Sequence, residues 1–263
     1  MKLKLIALAA MLAAGSANAA IVDGSTGNGE LFMTVLDSVG QKSYTLDLNL
    51  TMNDFLAGIA VSGASYNYAA DANMTSFLSL VAPADKSGLK FAIGAMDTVG
   101  ANATDYHRYI TTASSIVLGT STLDQVRNVD LKQLGAQGSF FLGDANSYIG
   151  VGNSAIITDA STLAYADSAV WGNNWGGKAN FTSTGLVGSD LNMYFLRQTS
   201  GASAANNTRA SYASLLQGGG QVFANLDTSG NLVISAVPEA DTYAMMLAGL
   251  GLVGFMAARR RAA

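Results

Sequence analysis

The chain has 263 residues, 18 acidic and 14 basic side chains, a formal charge of −4 and no cysteine. Without cysteine it forms no disulfide, builds no thiolate zinc site and offers no cysteine nucleophile. The acidic balance, with no internal run of Lys or Arg, argues against nucleic acid as a partner, because phosphate binding needs basic clusters.

The N-terminus opens on Met1-Lys2-Leu3-Lys4, continues through ten apolar residues at 5–14 and reaches Ala17-Asn18-Ala19. A basic start, a short apolar run and small residues at −3 and −1 predict a secretory signal peptide over residues 1–19. Ten apolar residues are too few to span a bilayer. Cleavage after Ala19 leaves Ala20 first. The exported domain then covers residues 20–236, enough for one sizeable domain. Setting aside Lys2, Lys4 and the three terminal arginines leaves 9 basic residues. Setting aside Glu239 and Asp241 leaves 16 acidic ones, so the exported part carries a charge near −7.

Residues 24–29 form a glycine-rich lead-in, and residues 30–36 read as a strand. Gly40-Gln-Lys is a turn. In residues 43–50, Tyr44, Leu46, Leu48 and Leu50 recur at period two, the pattern of a half-buried strand. The two runs predict an antiparallel hairpin. Further strands are expected at 76–81, 89–96 and 116–118, the first ended by Pro83. Leu123, Val126, Leu131 and Leu134 keep roughly helical spacing and predict one short helix over 122–134, stopped by Gly135. Strands follow at 139–142, 155–158, 191–198, 221–226 and 231–236. Asp227-Thr-Ser-Gly-Asn231 makes a hairpin turn between the last two. Residues 199–208 are polar and read as a long loop. Many short strands with glycine-rich turns predict a mainly β chain, a single β-sandwich or jelly-roll-like domain with one short helix.

Catalytic signals are sparse. His107 is the only histidine, and no Gly-x-Ser-x-Gly elbow or phosphate loop accompanies it. Paired carboxylates for glycoside hydrolysis would have to come from aspartates, because Glu30 is the only glutamate of the exported part. Asp144 and Asp227 sit beside Asn and Gly as calcium ligands do, but neither segment has a calcium-loop spacing, and turn formation accounts for both. No catalytic residue, metal ligand or cofactor is therefore assigned. Trp171-Gly-Asn-Asn-Trp175 is the most distinctive internal stretch. Two tryptophans four apart, with Asn173 and Asn174 between them, suit stacking and hydrogen bonding to a sugar ring. The competing reading is that both indoles plug the core under a glycine-rich loop.

The last 27 residues carry the strongest signal. Val237-Pro238-Glu239 and a short polar spacer lead into residues 243–258, which contain no charge and no polar face at helical spacing. Sixteen helical residues give roughly 24 Å, a little short of the ~30 Å hydrocarbon core, and flanking polar side chains make up the difference. Leu247, Leu250, Leu252, Val253 and Phe255 together favour insertion by roughly 1.5–3 kcal/mol. Arg259, Arg260 and Arg261 then hold the C-terminus on the cytoplasmic side. The stretch predicts a transmembrane helix that stops an exported chain.

A Pro-Glu pair, a spacer, a Leu- and Gly-rich apolar helix and a terminal arginine cluster, in that order, resemble the PEP-CTERM sorting signal. The family pattern has a second proline where this chain has Ala240. The resemblance covers about a tenth of the chain. It implies recognition by exosortase, an integral-membrane, cysteine transpeptidase-like enzyme of Gram-negative bacteria, with release of the tail near Val237–Pro238–Glu239. It also implies passage from an inner-membrane anchor to the cell surface or extracellular matrix. Three roles stand open for the exported domain: a structural protein of a polysaccharide-rich matrix or biofilm, a carbohydrate-binding module that meets exopolysaccharide through Trp171 and Trp175, or a secreted hydrolase.

Overall fold

The computed structural model describes residues 20–99, 107–114, 126–150, 152–168, 182–199 and 209–236. In chain order these form β1 (Glu30–Asp37), β2 (Lys42–Thr51), α1 (Met52–Ile59), β3 (Tyr66–Tyr68), α2 (Ala72–Leu80), β4 (Lys90–Asp97) and β5 (Arg108–Ala113). The second part adds α3 (Asn128–Tyr148), β6 (Ser154–Ile157), β7 (Gly185–Leu186), β8 (Asp190–Arg197), β9 (Ser211–Ser214), β10 (Leu216–Gln217), β11 (Gly220–Leu226) and β12 (Leu232–Ala236).

The strands join in one curled antiparallel sheet ordered β3-β12-β11-β8-β5-β4-β1-β2-β6, with β7, β9 and β10 pairing beside it. The mainly β expectation holds, but the two facing sheets of a sandwich are replaced by a single sheet bent over itself. Its ends are tied together by side chains. The Tyr68 hydroxyl on β3 donates to the Leu48 carbonyl on β2 (3.1 Å). Asn73 on α2 donates to the Ser154 carbonyl on β6 (3.1 Å), and the Ser154 hydroxyl donates to Asp71.

The hairpin of β1 and β2 forms as expected, and β1 shows why the middle of the sheet reads as a nearly continuous apolar run. Leu31, Met33 and Val35 pack on one face with Phe55 of α1 and Phe77 of α2. Phe32 packs on the other, against Phe141 of α3 at 6.0 Å between ring centroids. A strand covered on both faces loses the polar half of its alternation. The strands expected at 89–96, 155–158, 191–198, 221–226 and 231–236 appear within a residue or so of those bounds.

Four local expectations are corrected. Residues 76–80 are helical within α2, not a strand, and Val81 is the extended residue that ends it. Asp71 caps that helix by accepting from Met74 N (2.6 Å), and Met74 and Phe77 bury one face. Residues 139–142 are also helical. They lie inside α3, which runs 21 residues and buries Leu131, Leu134, Phe141, Leu142 and Ala145. Gly135 does not stop that helix. A Cβ there would lie 2.5 Å from the Tyr109 hydroxyl oxygen, so glycine is present to let α3 approach β5. Instead of one short helix there are three α-helices among the described residues, and α3 starts at Asn128. The strand expected at 116–118 and the helix start at 122–125 lie outside the described residues.

Candidate functional site

The chain leaves the sheet at Ala236, where the tail begins. β12 is an interior strand. Ala236 pairs with Val222 of β11, and Ile234 pairs with Tyr66 of β3 on the other side. Leu232 and Ile234 point into the core while Val233 and Ser235 are half-buried. β12 is therefore held by β3 as far as Ile234 and by β11 as far as Ala236.

Strand direction decides what surrounds this exit. β8 and β12 are both antiparallel to β11, so they run the same way and end at the same edge of the sheet. β5, antiparallel to β8, begins there. Around Ala236 stand the loop after α1 and the turn between β10 and β11. The Gln217 side-chain amide clamps them together by donating to the carbonyls of Ile59 (2.8 Å) and Ala64 (3.0 Å). Residues 55–70 and 210–226, which build this neighbourhood, contain no charged side chain. Two aliphatic side chains project from it, Val61 at 62% exposure and Leu216 at 55%.

Beside that uncharged ground stand all four arginines of residues 20–236. Arg108 and Arg197 are directly paired across β5 and β8, and Arg127 and Arg209 form an isolated bridge. Arg108 is held by Asp97 and by the Asn53 side-chain oxygen of α1 (3.2 Å). Arg127 is held by Asp130 (3.1 Å), whose carboxylate also accepts from Arg127 N at the start of α3 (2.9 Å). Arg197 and Arg209 are exposed and make no ion pair among the described residues.

The residues singled out for chemistry are dispersed. His107 Nδ1 lies 3.4 Å from the Tyr109 hydroxyl, which itself donates to the Leu131 carbonyl (2.5 Å). Asp144 accepts from Ala164 N (2.8 Å). Asp227 accepts from the backbone of Ser229 and Asn231 (both 2.8 Å) and holds the β11–β12 turn, which keeps its carboxyl below the usual range. Among the described residues no three His, Asp or Glu side chains approach closely enough to hold a metal ion. Trp171, Asn173, Asn174 and Trp175 lie outside the described residues. So do Ala17, Ala19, the sorting residues Val237, Pro238 and Glu239, the apolar run 243–258, and Arg259, Arg260 and Arg261. Among the described residues no helix is long and apolar enough to cross a membrane. Ala20 is exposed, whereas Ile21 is buried under α3. Asn146 holds both backbone groups of Ile21, its side-chain oxygen accepting from Ile21 N (2.8 Å) and its amide donating to Ile21 O (3.0 Å).

One buried acid escaped the sequence reading. Asp47 on β2 accepts from Asn49 N (2.7 Å) through Oδ1, while Oδ2 is buried with no partner. Burial pushes its pKa up to about 7, the charge of Glu30 adds to the rise, and the Asn49 bond opposes it. A β-strand aspartate in alternating sequence looks solvent-facing, and nothing local marks this one as buried.

Residues 236–261 match the family model of the PEP-CTERM protein-sorting motif. No curated protein and no solved structure matches the chain.

Proposed function

We propose that this chain, which carries the PEP-CTERM sorting motif at residues 236–261, delivers a non-catalytic structural domain to the cell surface or extracellular matrix. The motif implies exosortase-dependent sorting of an exported protein through a membrane-anchored intermediate. The finer role rests on the reading of the exported part. Its sheet is closed over two apolar cores, Asp71 caps a helix, Asp227 holds a turn, Asp97 and Asp130 pair with arginines, and the exported part is acidic and free of cysteine. In this reading the signal peptide is removed after Ala19. The helix at 243–258 then halts the chain with Arg259, Arg260 and Arg261 in the cytosol, and exosortase releases the domain near Val237–Pro238–Glu239.

The observation that carries the proposal is the match beginning at the last residue of β12. The last described strand ends where the sorting motif starts, so removal of residues after Ala236 costs the sheet none of its described strands. Mass spectrometry of the C-terminus, with and without an exosortase, tests it. The expected product ends upstream of Tyr243 when the enzyme is present and retains Ala263 when it is absent. An identical intact C-terminus in both cells overturns the sorting step.

A further inference from the structure

We infer that the edge of the sheet around Ala236 is a membrane-contact face, which seats the anchored domain on anionic lipid headgroups through Val61, Leu216, Arg197 and Arg209. The inference rests on the reading of residues 243–258 as a membrane helix.

Distance comes first. Only residues 237–242 separate the last strand from the apolar run. Six residues fully extended reach about 20 Å. The headgroup zone occupies several of those ångströms. Whatever surrounds Ala236 is therefore held close to the bilayer surface, and Ala236 cannot swing away, because it is paired with Val222 of β11 and the strand behind it, as far as Ile234, with β3.

Chemistry comes second. An exported part with a charge near −7 is repelled by an anionic surface unless the facing side lacks acids, since charges interact over about 8 Å at physiological salt. The ground next to the exit is uncharged over residues 55–70 and 210–226. It carries two exposed aliphatic side chains, which suit the interface between headgroups and acyl chains. On its flank Arg197 and Arg209 make no ion pair among the described residues, and juxtamembrane arginines gain from anionic headgroups. Asp97 and Asp130 already face Arg108 and Arg127. Glu30, at the start of β1, lies farther along the same edge, and Asp54 sits at the opposite end of α1 from Val61, so the contact is confined to the β5–β12 half. Lys42 and Lys90 open β2 and β4 at the opposite edge, away from the tail.

The absence of cysteine makes the test direct. Full-length protein with a single substitution, Val61→Cys, Leu216→Cys, Val39→Cys or Leu250→Cys, is labelled with an environment-sensitive fluorophore. It is then reconstituted into phosphatidylethanolamine–phosphatidylglycerol vesicles containing a headgroup nitroxide or an acyl-chain nitroxide. The label at 250 should be quenched from the acyl chains, those at 61 and 216 from the headgroups, and that at 39, in the far turn, by neither. Arg197→Gln with Arg209→Gln should cut quenching at 61 and 216 severalfold, as should phosphatidylcholine vesicles. A buried label at 250 with 61 and 216 as unquenched as 39 defeats the contact face and leaves the anchor standing. An unquenched label at 250 defeats the anchor and the contact face together. Quenching at 61 and 216 that arises only after an exosortase is co-reconstituted makes the surface a protein contact and overturns the lipid assignment.

Discussion

Arg108 and Arg197 stand directly opposite each other on adjacent antiparallel strands, two like charges in one cross-strand pair. Such a pair is unfavourable unless a neighbouring charge compensates. Asp97, buried, takes Arg108 through two of its guanidinium nitrogens and leaves Arg197 to solvent. Asp97→Asn should therefore destabilise the fold by about 1–3 kcal/mol, less in the Arg197→Gln background, where the repulsion is gone. Urea unfolding of the four proteins of this double-mutant cycle measures the difference. Equal losses in both backgrounds would deny any coupling between Asp97 and Arg197.

Asp47 predicts an unusual pH dependence. Its folded-state pKa is raised to about 7, above its ordinary carboxylate value. The folded protein then binds the proton more tightly than the unfolded chain. The associated stability is complete below the ordinary value and is lost as pH rises through 7. Melting temperature should fall between pH 5 and pH 8 in the wild type. Asp47→Asn should flatten that slope and melt higher than wild type at pH 8, since the amide needs no ionisation. A wild-type slope that survives the substitution would place its source elsewhere.

Two glycines of α3 should respond in opposite senses. Gly135→Ala puts a methyl 2.5 Å from the Tyr109 hydroxyl oxygen and 2.6 Å from Thr98 Cγ2. It should cost about 1–3 kcal/mol, because overpacking outweighs the better helix propensity of alanine. Gly143 has nothing within 4 Å of its would-be Cβ, and Gly143→Ala should stabilise by about 0.5–1 kcal/mol. Thermal or urea unfolding of both variants reads the sign.

Leu250→Arg tests the anchor in cells. One arginine at the centre of the apolar run costs about 2.5–3.5 kcal/mol, which offsets the roughly 1.5–3 kcal/mol that Leu247, Leu250, Leu252, Val253 and Phe255 supply together. The variant should leave the membrane fraction, and continued co-fractionation with membranes would refute the spanning helix.

Trp171→Ala combined with Trp175→Ala separates the structural role from sugar binding. A carbohydrate module should lose retention on exopolysaccharide while keeping its circular dichroism. Unchanged retention with a normal fold removes the stacking reading, and loss of the fold identifies the indoles as core.

Hairpins and alternating strands were legible because their cause is local. Tyr44, Leu46 and Leu48 alternate within one strand, and Asp227 to Asn231 build their own turn. Segment 76–81 was not, because Phe77-Leu-Ser-Leu fits either period until the Asp71 cap and the packing of Met74 decide it. β5 escaped because its interior holds two threonines, Thr111 and Thr112, which look solvent-facing. Thr112 is buried only because its hydroxyl accepts from Ile93 N (3.0 Å) and donates to the Ser183 carbonyl (2.8 Å), partners far away in the chain.

The sorting tail is a linear signal. Its Pro-Glu pair, apolar run and terminal arginines match the sorting motif in the order in which they are written, so sequence by itself determined it. The setting of that tail is a different matter. Arg108, Arg127, Arg197 and Arg209 meet at one edge because four separate segments end or begin there, and Val61 and Leu216 flank the exit because β12 is paired between β3 and β11. Only the tertiary structure decided these neighbours, since strand direction and pairing order bring together residues that share no local pattern.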